Sequence, residues 1–146
     1  MKISFRYKDV RVSHNDVAAV IKRPIVPVTL SHGEKSIDIE AYLDSGSDFM
    51  LITREIAEFL GLSLGKSVDE AGICGEQCKT VQSRVNVKIT DGKETVRLLD
   101  VPVEVIIEGG RELEEMLIGR IPFFSEFDVS FKENSNRIEL FRTKRK

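Results

Sequence analysis

The sequence predicts an all-β chain with one or two short helices, and three observations carry that reading. Strand-like apolar runs recur along its length between turn residues. Two hairpin patterns superpose on each other. Only the segment after Thr53 has clear helical start and stop signals. A length of 146 residues suits one domain, 1–146, with a real core, and is short for two lobes.

The N-terminal Met1–Lys8 alternates charged with apolar residues and lacks the apolar core of a signal peptide. Ile25–Leu30 and Ser36–Glu40 read as strands flanking Ser31–Glu34, where Gly33 supplies the positive φ of a hairpin turn. The run Ile37–Leu43 leads straight into Asp44-Ser45-Gly46-Ser47, and apolar Phe49–Ile52 follows. A helix comes next: Thr53 caps it, Glu55 suits the positive end of its dipole, and Gly61 stops it. Ile56, Phe59 and Leu60 form its apolar face.

Arg84–Thr90, the turn Asp91-Gly92 and Thr95–Leu99 repeat the first hairpin. A shift of 59 residues lays Val28 on Val87, Leu30 on Ile89, Gly33 on Gly92 and Ile37 on Val96. Internal duplication of one β domain explains this; the competing reading is that hairpins share such a pattern anyway. Glu108–Glu115 breaks the β pattern and reads as an exposed acidic loop. Met116-Leu117-Ile118-Gly119 reads as a strand able to thread beside the Asp44 loop, with Gly119 leaving room for close backbone approach. A shorter helix is expected at Phe123–Phe127. Val129 with Phe131, and Ile138 with Leu140, read as a closing strand pair around the Asn134–Asn136 turn.

Lys plus Arg number 22 against 24 for Asp plus Glu, a balance that argues against a whole-domain surface for nucleic acid or anionic membrane. The basic end, residues 142–146, reads as a solvated tail. No run approaches the length of a membrane span, and a cytoplasmic location is expected. Cys74 and Cys78 could clip a loop or hold half a metal site. His14 and His32 are distant in sequence and no second cysteine pair exists, so reduced thiols are expected.

Asp-Ser-Gly also occurs in ordinary turns, because Asp and Ser bond neighbouring amides and Gly accepts positive φ. Here it interrupts two apolar runs, where a solvated turn would have polar flanks. The result is one carboxylate on a tight loop beside buried backbone. That is how an aspartic protease displays its catalytic acid, but the chemistry needs two acids and the chain has one copy of the motif. An enzyme built this way is a homodimer with its active site on the two-fold axis.

Four motifs stand in order: Arg23-Pro24 before the first hairpin, Ala41–Asp48, Ala71-Gly72-Ile73-Cys74-Gly75, and Leu117-Ile118-Gly119-Arg120. Through them the chain resembles the retropepsins, the homodimeric aspartic proteases of retroviral type and their cellular relatives, from Arg23 to about Phe127. The resemblance implies a closed acid-protease β-barrel, one internally duplicated domain per chain. It implies an aspartic endopeptidase acting on polypeptide, with no metal or organic cofactor, no nucleic acid and no membrane partner. The alternative function is a catalytically inactive dimeric peptide-binding module with the same fold.

By the same resemblance Asp44 is the catalytic carboxylate, facing Asp44 of a second copy. Ser45 reaches the partner's loop, and Gly46 lets substrate backbone approach. Ser47 stands where Ala is commoner, with a hydroxyl able to donate near the paired acids. The flap covers about 67–85, with Gly72 and Gly75 letting it bend and Ile73 and Cys74 at its tip. Asp48 and Arg120, with Arg23 from across the dimer, form an ion-pair cluster at the site's edge, and Asp48 also meets substrate. Charged residues more commonly sit on solvated surface with little net effect. Ile52, Ile73, Ile118 and Ile121 are candidate pocket walls, each also readable as core. The terminal strands Met1–Phe5 and Arg137–Phe141 are candidates for an intersubunit sheet.

Overall fold

The structure, a computed structural model, describes residues 1–65, 67–70, 78–109 and 116–142. Its strands are β1 (Lys2–Arg6), β2 (Lys8–His14), β3 (Val17–Arg23), β4 (Ile25–His32), β5 (Lys35–Leu43), β6 (Met50–Thr53), β7 (Ser67–Glu70), β8 (Cys78–Thr90), β9 (Thr95–Glu108), β10 (Met116–Ile118), β11 (Asp128–Lys132) and β12 (Arg137–Phe141). Helix α1 spans Arg54–Leu60, and a short turn covers Arg120–Phe124, broken at Ile121 by extended backbone (φ −110°, ψ 123°). Among the described residues no helix is long and apolar enough to cross a membrane.

Six strands close into a barrel in the order β4-β5-β10-β6-β9-β8, sealed where β4 meets β8 at Thr29↔Lys88. The expected all-β barrel is therefore what the chain forms. Alternation explains the closure. Val26, Val28 and Leu30 of β4, Val85, Val87 and Ile89 of β8, and Val101, Val103 and Val105 of β9 all point inward and are buried. Each such side chain contributes roughly 1.5–3 kcal/mol on leaving water. Fully buried Phe123 stacks obliquely on Phe127, ring centroids 5.2 Å apart, within the same core.

The strand order reads the same when the two halves are exchanged. β10 pairs in parallel with β5 of the first hairpin, while β6 pairs in parallel with β9 of the second. Each half lends its short strand to the other half's hairpin. The closing pair Thr29↔Lys88 is separated by the same 59 residues that superpose the hairpins in sequence. Both hairpin turns place glycine at positive φ, 59° at Gly33 and 88° at Gly92.

Helix α1 is capped by Thr53, whose hydroxyl accepts from the Ile56 amide, and ends at left-handed Gly61. Its inward face differs from the sequence reading. Ala57 and Leu60 are buried with Ile56 beside them, but Phe59 is half exposed and lies under the Lys35 ammonium. Seven residues make too narrow a stripe to bury four side chains.

Among the described residues the hairpin β2–β3 pairs only with itself, and those of its residues whose burial is described are exposed or half-buried. Asn15 and Asp16 at its tip both have positive φ, the type I′ geometry of a two-residue turn. No sequence expectation covered this hairpin. The terminal strands, expected as candidates for an intersubunit sheet, pair with each other within the chain, and β1 and β11 form the two edges of their sheet. β1 lies antiparallel to β12, with Ile3 opposite Leu140 and Phe5 opposite Ile138, and β11 lies on the far side of β12. Ile3, Ile138 and Leu140 are completely buried, so this sheet shares the barrel's core. Arg142 is also tied down, its guanidinium 3.1 Å from Glu126 and its amide donating to Met1 O at 3.2 Å. The solvated-tail reading does not hold for that residue, and 143–146 lie outside the described residues. So does 110–115, most of the expected acidic loop.

One carboxylate, Asp91, ties the terminal sheet to the second hairpin, and another, Glu139, ties the strands of that sheet together. Asp91, in the second hairpin turn, accepts the amides of Glu94, Lys93 and Ser4, which hold its carboxyl below the usual range. Glu139 on β12 lies 2.9 Å from the Lys132 ammonium and 3.7 Å from that of Lys2, and its carboxyl is likewise depressed, chiefly by the Lys132 bond. A depressed carboxyl contributes stability fully above the ordinary carboxylate range and loses it as pH falls through the folded-state value. Glu139→Gln should therefore lower the melting temperature at neutral pH, with the gap to wild type closing as the pH drops below about 4. Thermal unfolding across pH 2–7 measures this; a pH-independent gap would show that charge plays no part.

Candidate active site

Residues 44–49 connect β5 to β6 and form a tight loop. The Asp44 amide donates to Ile118 O at 2.9 Å, extending the β5–β10 ladder by one step. The loop then folds back: Ser47 N–H donates to Asp44 O at 3.2 Å, and Gly46 N–H donates to Asp44 Oδ1 at 2.8 Å. One carboxyl oxygen is thus oriented by the loop's own backbone. A Cβ on Gly46 would come within 3.1 Å of that oxygen. Asp44 is half-buried, while Ser45 and Gly46 are exposed at the tip.

Two further backbone bonds clamp the loop from beneath. Arg120 N–H donates to Ser47 O at 2.7 Å, and Ile121 N–H donates to Asp48 O at 2.9 Å. Gly119 passes so close that a Cβ there would lie 2.4 Å from Ser47 O and 2.5 Å from Phe49 O. Its backbone is extended, at φ −99° and ψ −163°, so space rather than conformation demands glycine. Ser47 is buried and its hydroxyl donates to Phe49 O at 2.8 Å. The donation toward the acids expected of Ser47 is therefore not made: the hydroxyl satisfies a carbonyl inside the loop.

Asp48 and Arg120 are brought together, Oδ1 to guanidinium 3.8 Å, but both side chains are largely exposed and such a pair adds little stability. Arg23 is half-buried at the end of β3, next to Pro24, whose carbonyl accepts from the Leu43 amide at 3.2 Å. The start of β4 thus flanks the Asp44 loop.

Alternation divides the surrounding residues between two faces of the sheet. Ala41, Leu43, Ile52 and Ile118 point into the barrel core. The pocket-wall role considered for Ile52 and Ile118 is corrected by their complete burial there. Ile121 is 42% exposed beside the loop. Tyr42, Leu51, Ile106 and Leu117 form a second, separate apolar cluster on the outer face. Tyr42↔Leu117, Leu117↔Leu51, Leu51↔Glu104 and Glu104↔Gln82 make one continuous row across five strands. Asp44 stands two residues beyond Tyr42, at the rim of this outer face. Sequence reasoning missed the outer-face cluster of Tyr42, Leu51 and Leu117; counting alternation outward from Asp44 and Gly119 would have found it.

The same pairs locate the second half's counterpart of the acid. Exchanging the halves takes Leu117 to Leu51 and Tyr42 to Glu104, and hence Asp44 to Ile106. Ile106 pairs with Thr53, at the far end of the outer face from the Asp44 loop, which adjoins the Met50 end of β6.

Gly72, Ile73, Cys74 and Gly75 lie outside the described residues. On either side of them β7 and β8 pair antiparallel, from Ser67↔Val81 to Glu70↔Cys78. Among the described residues no group of three or more His, Cys, Asp or Glu side chains could hold a metal ion.

No protein-family model matches the chain, and no curated protein matches it. Among solved structures it is similar to a retropepsin-like aspartic protease from Rickettsia conorii, with a TM-score of 0.52 at 13% identity over 96% of this chain and 90% of that one. EIAV protease in complex with an inhibitor matches with a TM-score of 0.44 at 20% identity, over 75% of this chain and 88% of that one.

The clamp makes a direct prediction. Gly119→Ala must push Ser47 and Phe49 apart, and should destabilise the fold by about 1–3 kcal/mol, as overpacking does. Ser47→Ala removes the hydrogen bond from Ser47 to the Phe49 carbonyl and should cost about 1 kcal/mol. Denaturant unfolding measures both; an unchanged midpoint for Gly119→Ala would contradict the close approach.

Proposed function

We propose that this chain, which has the retropepsin-like fold, is an aspartic endopeptidase whose active site forms when two copies bring their Asp44 carboxylates together across a two-fold axis. One observation carries the reading: a single acid, Asp44, clamped on a rigid loop at the rim of an apolar face. One chain supplies half of a two-acid site.

Two carboxylates that close cannot both ionise, so the pair holds one proton and titrates as a unit. The ionised member accepts a proton from a water held between them, and that water's oxygen attacks the peptide carbonyl carbon. The protonated member donates to the carbonyl oxygen, giving a neutral tetrahedral diol. Proton transfer to the nitrogen then breaks the C–N bond and releases amine and acid. Gly46, whose amide orients Asp44 Oδ1, leaves space above the loop for substrate backbone. Ser45, exposed at the tip, meets the partner's loop.

The substrate is an extended polypeptide lying along the outer face, over Tyr42, Leu117 and Leu51. The β7–β8 hairpin, with Gly72, Ile73, Cys74 and Gly75 between its arms, serves as the flap over about 67–85 and excludes water when closed. Asp48 and Arg120, joined by Arg23 of the second copy, edge the site. Each chain acts as one domain.

Asp44→Asn should reduce cleavage of unfolded casein at least ~10³-fold while leaving the sedimentation behaviour of a dimer unchanged. Cleavage that survives the substitution would remove Asp44 from the chemistry. A wild-type protein that is dimeric yet inert from mildly acidic to neutral pH would identify a peptide-binding module instead.

A further inference from the structure

We propose that Glu104 makes one pocket of this cleft selective for a basic side chain, arginine or lysine, of the peptide substrate. The inference rests on the peptidase reading above and names the chemistry of its substrate.

Glu104 lies on β9, opposite Leu51 of β6 and Gln82 of β8, in the row that crosses the outer face from Tyr42. It therefore belongs to the face whose rim carries Asp44, beside the apolar cluster of Leu51, Ile106 and Leu117. Its surroundings are unusual for a carboxyl group, since only 4% of the residue is exposed. Thr80 Oγ1 donates to Oε2 at 2.8 Å in a buried hydrogen bond. A hydroxyl is a neutral donor and leaves a buried carboxylate without a counter-charge. Among the described residues no cation pairs with Glu104.

Space exists for a cation to reach it. A cavity of about 290 Å³ is lined by Glu104, Phe49, Gln82, Arg84, Pro102 and Val103. Phe49 ends the Asp44 loop, so the cavity adjoins that loop on the side of β9. Arg84 shares the cavity, but its guanidinium is engaged with the carbonyl and carboxyl of Asp100 at 2.8 and 3.4 Å. The lining suits a long basic side chain: Phe49, Pro102 and Val103 meet its methylene stem, and Glu104 receives its head. An apolar side chain would seal the carboxyl away from water with only the Thr80 hydroxyl as partner, and an acidic one would repel it.

The test is a cleavage profile. Wild-type protein is incubated with a library of proteome-derived peptides, and the new termini are sequenced by mass spectrometry. Arg and Lys should be enriched at one fixed position relative to the cut. The measured quantity is the ratio of basic to apolar residues at that position, which is independent of total activity. Glu104→Gln should lower this ratio at least ~10-fold, the scale expected for removing one charge-assisted hydrogen bond. Glu104→Leu, close in size and free of a buried polar group, should turn the preference toward apolar residues. Cleavage by wild type without basic enrichment at any position would overturn the selectivity and leave the peptidase standing, and needs no variant to fold. Enrichment that persists in both variants would also overturn it. Absence of any cleavage would overturn both readings together.

Discussion

The insertion of β10 between β5 and β6 is the constraint on which the rest of the structure depends. It lets the Asp44 amide reach Ile118 O and brings Gly119 against the carbonyls of Ser47 and Phe49. The loop is then held from below by backbone alone, through Arg120 and Ile121, and from within by the buried Ser47 hydroxyl. A carboxyl group on such a support keeps its direction without help from surrounding side chains, and catalytic geometry requires that kind of fixity. The exposed Asp48–Arg120 pair is secondary to it.

Duplication built the barrel but not the site. Each half closes its sheet with a strand borrowed from the other, so neither hairpin completes its sheet without the other half. The Asp-Ser-Gly motif occurs once in the chain, at Asp44. Chemistry that needs a pair must find the second member in another molecule. The terminal strands are already satisfied within their own chain, with Ile3, Ile138 and Leu140 sunk into the common core.

Much of this was legible from local signals. The turn glycines at 33 and 92, the Thr53 and Gly61 caps and the need for glycine at 119 each follow from backbone geometry within a few residues. The Asp44 loop stood out because polar residues interrupted an apolar run. What escaped was set by longer range or by finer alternation. Pairing of β1 with β12 joins the two ends of the chain, and no local pattern encodes it. The β2–β3 hairpin turns on Asn15 and Asp16, without the glycine that marked the other turns. Ile118 and Ile52 differ from their neighbours Leu117 and Leu51 only in which face the pleat assigns them. Glu104, alone among the buried residues from Val103 to Ile106, is visible in sequence only as one acid inside an apolar run.

The most direct measurement is a mixing series. Wild type and Asp44→Asn protein are unfolded together, refolded at fixed total concentration and assayed for peptide cleavage as the wild-type fraction varies. If each site needs an acid from both copies, activity falls as the square of that fraction, leaving about a quarter at equal mixture. A straight-line fall, with about half remaining, would mean that each chain works alone, and the account of a shared pair would be wrong.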